Sequence, residues 1–383
     1  MDQDLKQEKI VEEARLFADK AIRPYAAEHD EKGRLPKNLI KKMAEKGFLS
    51  TSFPKEYGGL ELDPVYYGLF TEEIGKACCS TRALVTVNTS LVGETMLRWA
   101  RKDQKEKWLR DIASGRKIGA FALSEPEVGS NAQGVMTSYK ESGSHYILNG
   151  RKKWITFGDL ADFFIVIATG ERGITAFIVE REFEGLKSYP IKGMLAGRAS
   201  HIAVVELDDV AVPKENVLGG VGNGFTYIVN KALDHGRYSI AWGGVAVAQE
   251  ALESMVAYSR QRSQFGKKIH EFQLVQGMIG DAVTKVHAAR ALCIRAGEMR
   301  REKAPQAIME TAIAKYFTSM VAMEVAANAV QIHGGNGCCS DYPVERLFRE
   351  AKILEIVEGT SQIQQELIAR FGLRKYYKKS KKS

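Results

Sequence analysis

The sequence of 383 residues lacks any apolar run approaching the ~18 residues that a bilayer-spanning helix needs. Its opening stretch, MDQDLKQEKI, has no apolar core of the kind a secretory leader carries. The same stretch is acidic and poor in Arg and Ser, unlike a mitochondrial transit peptide. Cysteine is scarce and badly spaced for bridges: Cys78, Cys79, Cys293, Cys338 and Cys339, five in all, with no C-x-x-C. This pattern argues against a disulfide framework and against a zinc site, so a reducing, cytoplasmic setting without a metal is expected. With 9 prolines, 45% apolar and 27% charged residues, the composition is that of an ordinary globular enzyme, long enough for two or three packed units.

An excess of basic charge is present, but it is local. Arg374, Lys375, Lys378, Lys379, Lys381 and Lys382 take six charges from the formal +8 and leave the rest of the chain at +2. Residues 373–383 are therefore expected to be a disordered basic tail rather than part of a nucleic-acid surface.

Three regions follow. Before residue 118, Ile10, Val11, Ala14, Phe17, Ala18 and Ile22 recur at helical spacing, so 1–117 reads as a helical domain. From 118 to 223, short runs rich in Ile, Val, Phe and Thr, such as Phe163 to Ala168 and Ile202 to Leu207, read as a compact β-barrel-like domain. Beyond it, helices are expected at Phe225–Asp234, Ser239–Arg262, Gln273–Lys303, Gln306–Ile332, Tyr342–Ile356 and Ser361–Phe371. Long helices joined by short turns predict a C-terminal four-helix bundle over 224–372, and the fold class is α+β, mostly α. The stretch Gly219-Gly-Val-Gly-Asn-Gly224 does not match G-x-G-x-x-G and is read as a turn.

Several stretches offer chemistry. Ala122-Leu-Ser-Glu-Pro-Glu-Val-Gly-Ser-Asn131 brings small residues and hydroxyls that let a ligand approach the backbone. In Lys153-Trp-Ile-Thr156, strand alternation is expected to put Trp154 and Thr156 on one face, suited to a planar heterocycle. In Gln331-Ile-His-Gly-Gly-Asn-Gly337 a glycine turn ends a helix, and His333 reads as a satisfied core histidine. In Glu355-Ile-Val-Glu-Gly-Thr-Ser-Gln-Ile-Gln364 a carboxylate, Glu358, stands between two helices. Gly359 permits a turn there, and Ser361 with Gln364 has the S-x-x-Q spacing of a capping box.

Together with Arg260-x-Arg262-x-x-Phe265-Gly266-Lys267 and Phe272-Gln-Leu274, these motifs resemble the acyl-CoA dehydrogenase family over nearly the whole chain to Gly372. Two departures stand out: Asn131 replaces the usual Asp of the first signature, and Cys338 replaces the usual aromatic or aliphatic residue of the second. The resemblance implies FAD, with Ala122, Leu123, Ser124, Gly129 and Ser130 lining the flavin and pyrophosphate, and Trp154 and Thr156 against the isoalloxazine. It implies that Arg262, Phe265, Gln273, Gln331 and Gly335 reach FAD of a neighbouring subunit, that Thr360 and Gln362 also touch it, and hence a homo-oligomer, dimer or homotetramer. It assigns substrate binding to Ser130, Arg237 and Gly359.

Oxidising an acyl thioester requires a base for the α proton, an acceptor for the β hydride and stabilisation of charge on the carbonyl oxygen. By the resemblance, Glu358 is the base and flavin N5 the acceptor, and burial among Ile356, Val357 and the ring is expected to raise the base's pKa. The other position used in the family falls on Gly236, which carries no side chain, and Glu355 is the local rival. Asp234 to Gly243, with Cys79-Ser-Thr-Arg82 and Thr86, are similar to members that oxidise short polar acyl groups on an acyl carrier protein in polyketide or nonribosomal-peptide biosynthesis. The expected substrate is therefore an acyl thioester on a carrier protein or, alternatively, CoA, as in a short-chain acyl-CoA dehydrogenase. An electron-transfer flavoprotein or another acceptor takes the electrons, and a flavin-bearing DNA-associated protein is the reading from another class.

Overall fold

The computed structural model describes residues 3–377 and divides into two compact units, one ending at Ser239 and the other beginning at Ile240.

In the first unit the opening helix, Gln3–Phe17, buries Ala14 and continues through a wide turn, Ala18–Ile22, that buries Ala18 and Ile22. Those residues belong to the expected apolar face. Helix Pro64–Ala77 starts where sequence chemistry favours it. Pro64 has no N–H to leave unbonded, and the Asp63 carboxylate accepts from the N–H groups of Val65 and Tyr66 at 2.8 and 3.1 Å.

The β part is not a barrel. It forms two separate four-stranded sheets among the described residues. Its strands are β1 (Gly119–Ala122), β2 (Ser138–Ser142), β3 (His145–Ile155), β4 (Phe163–Ala168), β5 (Thr175–Glu180), β6 (Leu186–Pro190), β7 (Ala203–Pro213) and β8 (Val217–Leu218). One sheet has the order β1-β4-β5-β8, with β1 and β4 parallel, and the other has the order β2-β3-β7-β6 and is antiparallel throughout. Each sheet keeps open edges because its apolar faces are buried by packing rather than by closure. Phe164, Val166 and Phe177 of the first sheet share a core with Tyr146, Leu148, Val205 and Val210 of the second. The opposite face of β4 is covered by helix: Phe163 packs on Trp108 with ring centroids 4.3 Å apart. Burial on both faces explains why β4 is apolar throughout while β2 and β3 show polar positions.

In the second unit, helices Gln273–Arg301, Ala307–His333, Val344–Leu354 and Ser361–Tyr376 match expected elements to within a few residues. Two expectations are corrected. The helices expected at Phe225–Asp234 and Ser239–Arg262 are one helix, Asn230–Gln261, preceded by a wide turn over Gly224–Val229. The roughly 1 kcal/mol that Gly236 costs a helix is outweighed by the burial of Ala232, Tyr238, Trp242, Val245 and Met255 along it. The final helix runs through Tyr376, so residues 373–376 of the expected tail are helical, Arg374 and Lys375 included. Lys378, Lys379, Lys381 and Lys382 lie outside the described residues.

Candidate active site

The first unit gathers one group of candidate residues at the end of β1 and the end of β3. Ala122 closes β1 and is fully buried, and Leu123 is buried after it. Ser124 is half-buried, whereas Gly129, Ser130 and Asn131 lie on an exposed loop. A buried ion pair anchors this loop. Lys152 Nζ donates to Glu125 Oε1 at 2.7 Å and to the Leu123 carbonyl at 3.1 Å. Glu125 also accepts from Met136 N, Thr137 N and Thr137 Oγ1 at 2.7, 2.9 and 2.6 Å. Next along the strand, Lys153 N donates to the Ser124 carbonyl at 2.9 Å, so the loop after β1 and the end of β3 are bonded together.

Burial pushes the Lys152 ammonium down to about 8, with Glu125 opposing. Burial works to raise the Glu125 carboxyl, but the bonds from Lys152, Thr137 and Met136 outweigh it and hold it below its ordinary range. Sequence reading missed this pair. The available signal was a lysine at an inward position of a strand whose alternate residues are apolar.

Trp154 and Thr156 do not follow simple strand alternation. The β3–β7 register shifts between Lys152 and Ile155, Trp154 takes φ 66°, and Thr156 lies past the end of the strand. Trp154 is left 47% exposed with Lys153 Nζ 4.5 Å from its ring centre. A tryptophan at positive φ with so much open surface is strained and under-packed, the condition in which a ligand supplies the missing contact.

The second unit holds the carboxylate. The loop after Val344–Leu354 places Glu358 at φ 57° and Gly359 at φ 97°. Gly359 tolerates that angle, whereas Glu358 is held in it. The restraints act on the loop backbone. Lys315 Nζ, fully buried, donates to the Gly359 carbonyl at 2.8 Å. Gln364 Nε2, also fully buried, donates to the Glu358 and Gly359 carbonyls at 3.3 and 3.1 Å. Ser361 N donates to the Glu355 carbonyl at 2.9 Å.

The expected capping box is therefore corrected. Thr360 is the cap, its Oγ1 accepting from Ile363 N at 3.4 Å, and the Gln364 amide serves the base-bearing turn instead. Gln362 is exposed and Thr360 half-buried. Ile356 is 51% exposed, while Val357 and Glu358 are half-buried. The rival Glu355 is bonded to Lys352 Nζ at 2.6 Å. Lys315 was not singled out by sequence, although it is the lone charge in the small, apolar run Ala312-Ile-Ala-Lys315.

A third group stands apart in the same unit. A two-residue hairpin joins Ser263–Gln264 to Lys267–Lys268, with Phe265 at φ 53° and Gly266 at φ 80°. Two positive φ angles are what such a turn demands, and phenylalanine is a poor choice for the first. The turn leaves Phe265 92% exposed. Arg262, Gln273, Gln331 and Gly335 are exposed too. A Cβ added at Gly335 would meet nothing within 4 Å. His333 is buried, with Nδ1 2.7 Å from the Ala329 carbonyl and its ring stacked 4.1 Å from Tyr258, and burial lowers its pKa. It is a structural histidine. In the first unit, Arg237 sits half-buried on the helix Asn230–Gln261.

Profiles of the N-terminal, middle and C-terminal domains of acyl-CoA dehydrogenases match residues 4–116, 120–210 and 222–373. The chain belongs to the acyl-CoA dehydrogenase family. It is 38% identical to the short-chain specific acyl-CoA dehydrogenase of Clostridium acetobutylicum, over 95% of this chain and 97% of that protein. Butyryl-CoA dehydrogenase from Megasphaera elsdenii superposes with a TM-score of 0.93 at 35% identity, covering 96% and 98% of the two chains. A chain from a structure described as the electron transferring flavoprotein of Acidaminococcus fermentans gives 0.94 at 40% identity, covering 98% and 100%. More distant are a prolyl acyl carrier protein oxidase, AnaB (27% identity, TM-score 0.91), and FkbI, described for methoxymalonyl extender-unit biosynthesis (29%, 0.87). They cover 97% and 94% of this chain, and 99% of each of theirs.

Family members use FAD, and a glutaryl-CoA dehydrogenase from Mycobacterium smegmatis, similar at TM-score 0.92 and 29% identity over 99% of this chain and 97% of that one, is described with FADH2. The residues of this chain fit that cofactor. Trp154 and Phe265 offer strained, open aromatic faces, and the exposed loop at Gly129 and Ser130 has no side chain crowding Gly129 within 4 Å. Arg262, Gln273 and Gln331 are exposed polar residues of the kind that bind a dinucleotide.

Proposed function

We propose that the protein is an FAD-dependent dehydrogenase that introduces an α,β double bond into a short acyl thioester, with Glu358 as the base for the α proton. The observation that carries this reading is Glu358 held at φ 57° while buried side chains bond the carbonyls of its own turn. Strain of about 1–3 kcal/mol in a non-glycine residue persists where the surroundings over-determine it, and here it aims one carboxylate. The α proton passes to Glu358. Bound FAD supplies the two-electron acceptor for the β C–H bond. Ser130, Arg237 and Gly359 are assigned to the substrate. Ala122, Leu123, Ser124, Gly129, Ser130, Trp154, Thr156, Thr360 and Gln362 are assigned to FAD. Arg262, Phe265, Gln273, Gln331 and Gly335 are assigned to the FAD of a neighbouring subunit, in a homodimer or homotetramer.

CoA is the preferred carrier, in line with the short-chain and butyryl-CoA relatives. An electron-transfer flavoprotein is the preferred acceptor, in line with the Acidaminococcus structure. A carrier-protein thioester is the second reading, favoured by the likeness to AnaB and FkbI and by the polar residues around Arg82. All five cysteines are free thiols, which supports a cytoplasmic setting. Among the described residues no helix is long and apolar enough to cross a membrane. Domain borders near 117, 223 and 372 belong to the same proposal.

The test is anaerobic bleaching of the flavin by a panel of acyl-CoA and acyl carrier protein thioesters. Wild type is expected to bleach with at least one short member. Glu358→Gln is expected to stay yellow and folded and to bleach with none. Normal bleaching by that variant removes Glu358 from the role.

A further inference from the structure

A cavity of about 380 Å³ opens in the first unit, within the size range of small-molecule sites and lined by none of the residues assigned to FAD or substrate. Its walls come from three places. The end of helix Glu94–Trp99 and the residue that caps helix Lys102–Ala113 supply Arg98, Trp99 and Arg101. The start of β3 supplies Tyr146, and the segment around β8 supplies Lys214 and the glycine turn at 219–221. Tyr146 and Trp154 stand eight residues apart on β3, about 25 Å of strand, so this cavity is not the flavin site.

The walls are fixed to one another. Gln104 Nε2 donates to the Glu215 and Val217 carbonyls at 2.8 and 3.1 Å, which ties the helix to the segment before the turn. The turn holds Gly219 at φ 73° and Gly220 at φ 94°, angles that side chains resist. It is pinned beyond the cavity, where Gly222 N donates to Thr175 Oγ1 at 2.9 Å and Gly224 N to the Ile174 carbonyl at 2.8 Å. A site held in this way loses little freedom when it binds.

The charge around it is one-sided. Arg101 holds Asp103 through Nε and Nη2 at 3.1 and 2.8 Å. Lys214 pairs with Glu141, which also faces Arg172 at 3.7 Å. Arg98 has no carboxylate within ion-pair distance among the described residues, and its guanidinium carbon stands 5.5 Å from the centre of the Trp99 ring. These four cations therefore share two carboxylates. The pairs lie at the surface, where pairing is worth little, so the cations stay available to a ligand. Lys214 Nζ is 5.9 Å from the centre of the Tyr146 ring, and the Trp99 indole N–H has no hydrogen-bond partner. The cavity thus sets arginine and lysine heads beside two aromatic rings and the side chains of Val217 and Val221. Guanidinium groups suit phosphate oxygens through paired N–H bonds. Inorganic phosphate or a small carboxylic acid would answer the charge and leave the rings and valines uncovered.

We propose that this cavity is a second ligand site, for a nucleoside phosphate whose phosphates are held by Arg98, Arg101 and Lys214 and whose base lies against the Trp99 and Tyr146 wall. The site stands apart from the proposed dehydrogenation and adds no step to it.

The experiment is calorimetric titration of the FAD-loaded enzyme with ADP, adenosine and inorganic phosphate, each with and without saturating butyryl-CoA. Wild type is expected to bind ADP at least about tenfold more tightly than either fragment, with a Kd that butyryl-CoA leaves unchanged. Arg98 is exposed, so Arg98→Glu should fold. That variant is expected to weaken ADP at least about tenfold and to leave flavin bleaching by butyryl-CoA as in wild type. Val221→Glu, on the facing wall, is expected to do the same. No binding of ADP overturns the proposal. So does ADP binding no tighter than inorganic phosphate, which means an adventitious ion only, or no tighter than adenosine. Displacement of ADP by butyryl-CoA would assign it to the thioester site and also overturns the proposal, as does undiminished binding in either folded variant. The two readings fail separately: if ADP binds as expected and no thioester bleaches the flavin, only the dehydrogenase reading falls.

Discussion

The end of β3 and the loop at Glu355–Gln364 each hold a non-glycine residue at positive φ, 66° for Trp154 and 57° for Glu358. The two are secured differently. Beside Trp154, a buried lysine meets a buried carboxylate, and the pair ties down the loop after β1 through the Leu123 carbonyl and the N–H groups of Met136 and Thr137. At Glu358, a buried lysine and a buried amide donate to backbone carbonyls of the loop itself. On the proposed function, the difference follows from the task. A loop that receives a cofactor can use a carboxylate internally, as Glu125 does. A turn that presents its carboxylate to a substrate is better fixed through its backbone.

This contrast can be broken at several points. The largest effect is expected from Glu358→Gln: dehydrogenation should fall by about 10²–10⁴-fold, the usual contribution of a general base, with the melting temperature little changed. Stopped-flow bleaching with a short acyl-CoA measures it. Retained activity would leave the Glu358 turn with no functional distinction from the β3 end.

Next is Glu125→Gln, which leaves the Lys152 ammonium buried without its counter-charge. Losing one partner of such a pair costs about 3–5 kcal/mol, to be read by denaturant unfolding. Replacing both residues with apolar ones should recover most of that loss, because the charge is then absent.

Lys152 also sets a pH dependence. Its folded-state pKa, about 8, lies below the ordinary lysine value of 10.5, so between those values the unfolded chain binds the proton and the native state does not. Stability contributed by this site therefore rises with pH from 8 to 10.5, and the stability of wild type relative to Lys152→Met should rise across that window. The Glu125 carboxyl acts at the other end: held below 4.5 in the fold, it contributes stability above 4.5 that is lost as pH falls through its folded-state value.

Lys315→Met is expected to cost about 1.5–3 kcal/mol, the range for a hydrogen bond involving a charged group, and to lower kcat more than it raises KM, because the displaced turn carries the proposed base. Equal losses in Lys315→Met and in a distant core variant of the same stability would reduce Lys315 to packing. The smallest effect should come from Thr360→Ala. Its cap contact is long, 3.4 Å, so about 0.5 kcal/mol is expected by thermal unfolding.

The sequence by itself determined the element types, the order of helix, sheet and helix, and the loop that carries Glu358. These depend on local periodicity, caps and glycine positions, which a chain displays in its order of residues. Tertiary structure decided what depends on partners far along the chain. Two open sheets replaced the expected barrel because Phe163 found Trp108 and Phe164 joined the core shared with the second sheet. Gly236 stayed helical because the surrounding helix is buried. Gln364 turned from a cap to a clamp, and Lys152 met Glu125 across 27 residues of sequence. Arg82 is the sharpest case: only packing shows that its guanidinium is buried, with Nε sealed from solvent and without a hydrogen-bond partner. Burial and pairing of charge are properties of the assembled interior, since the energy of a charge depends on which groups and how much water surround it.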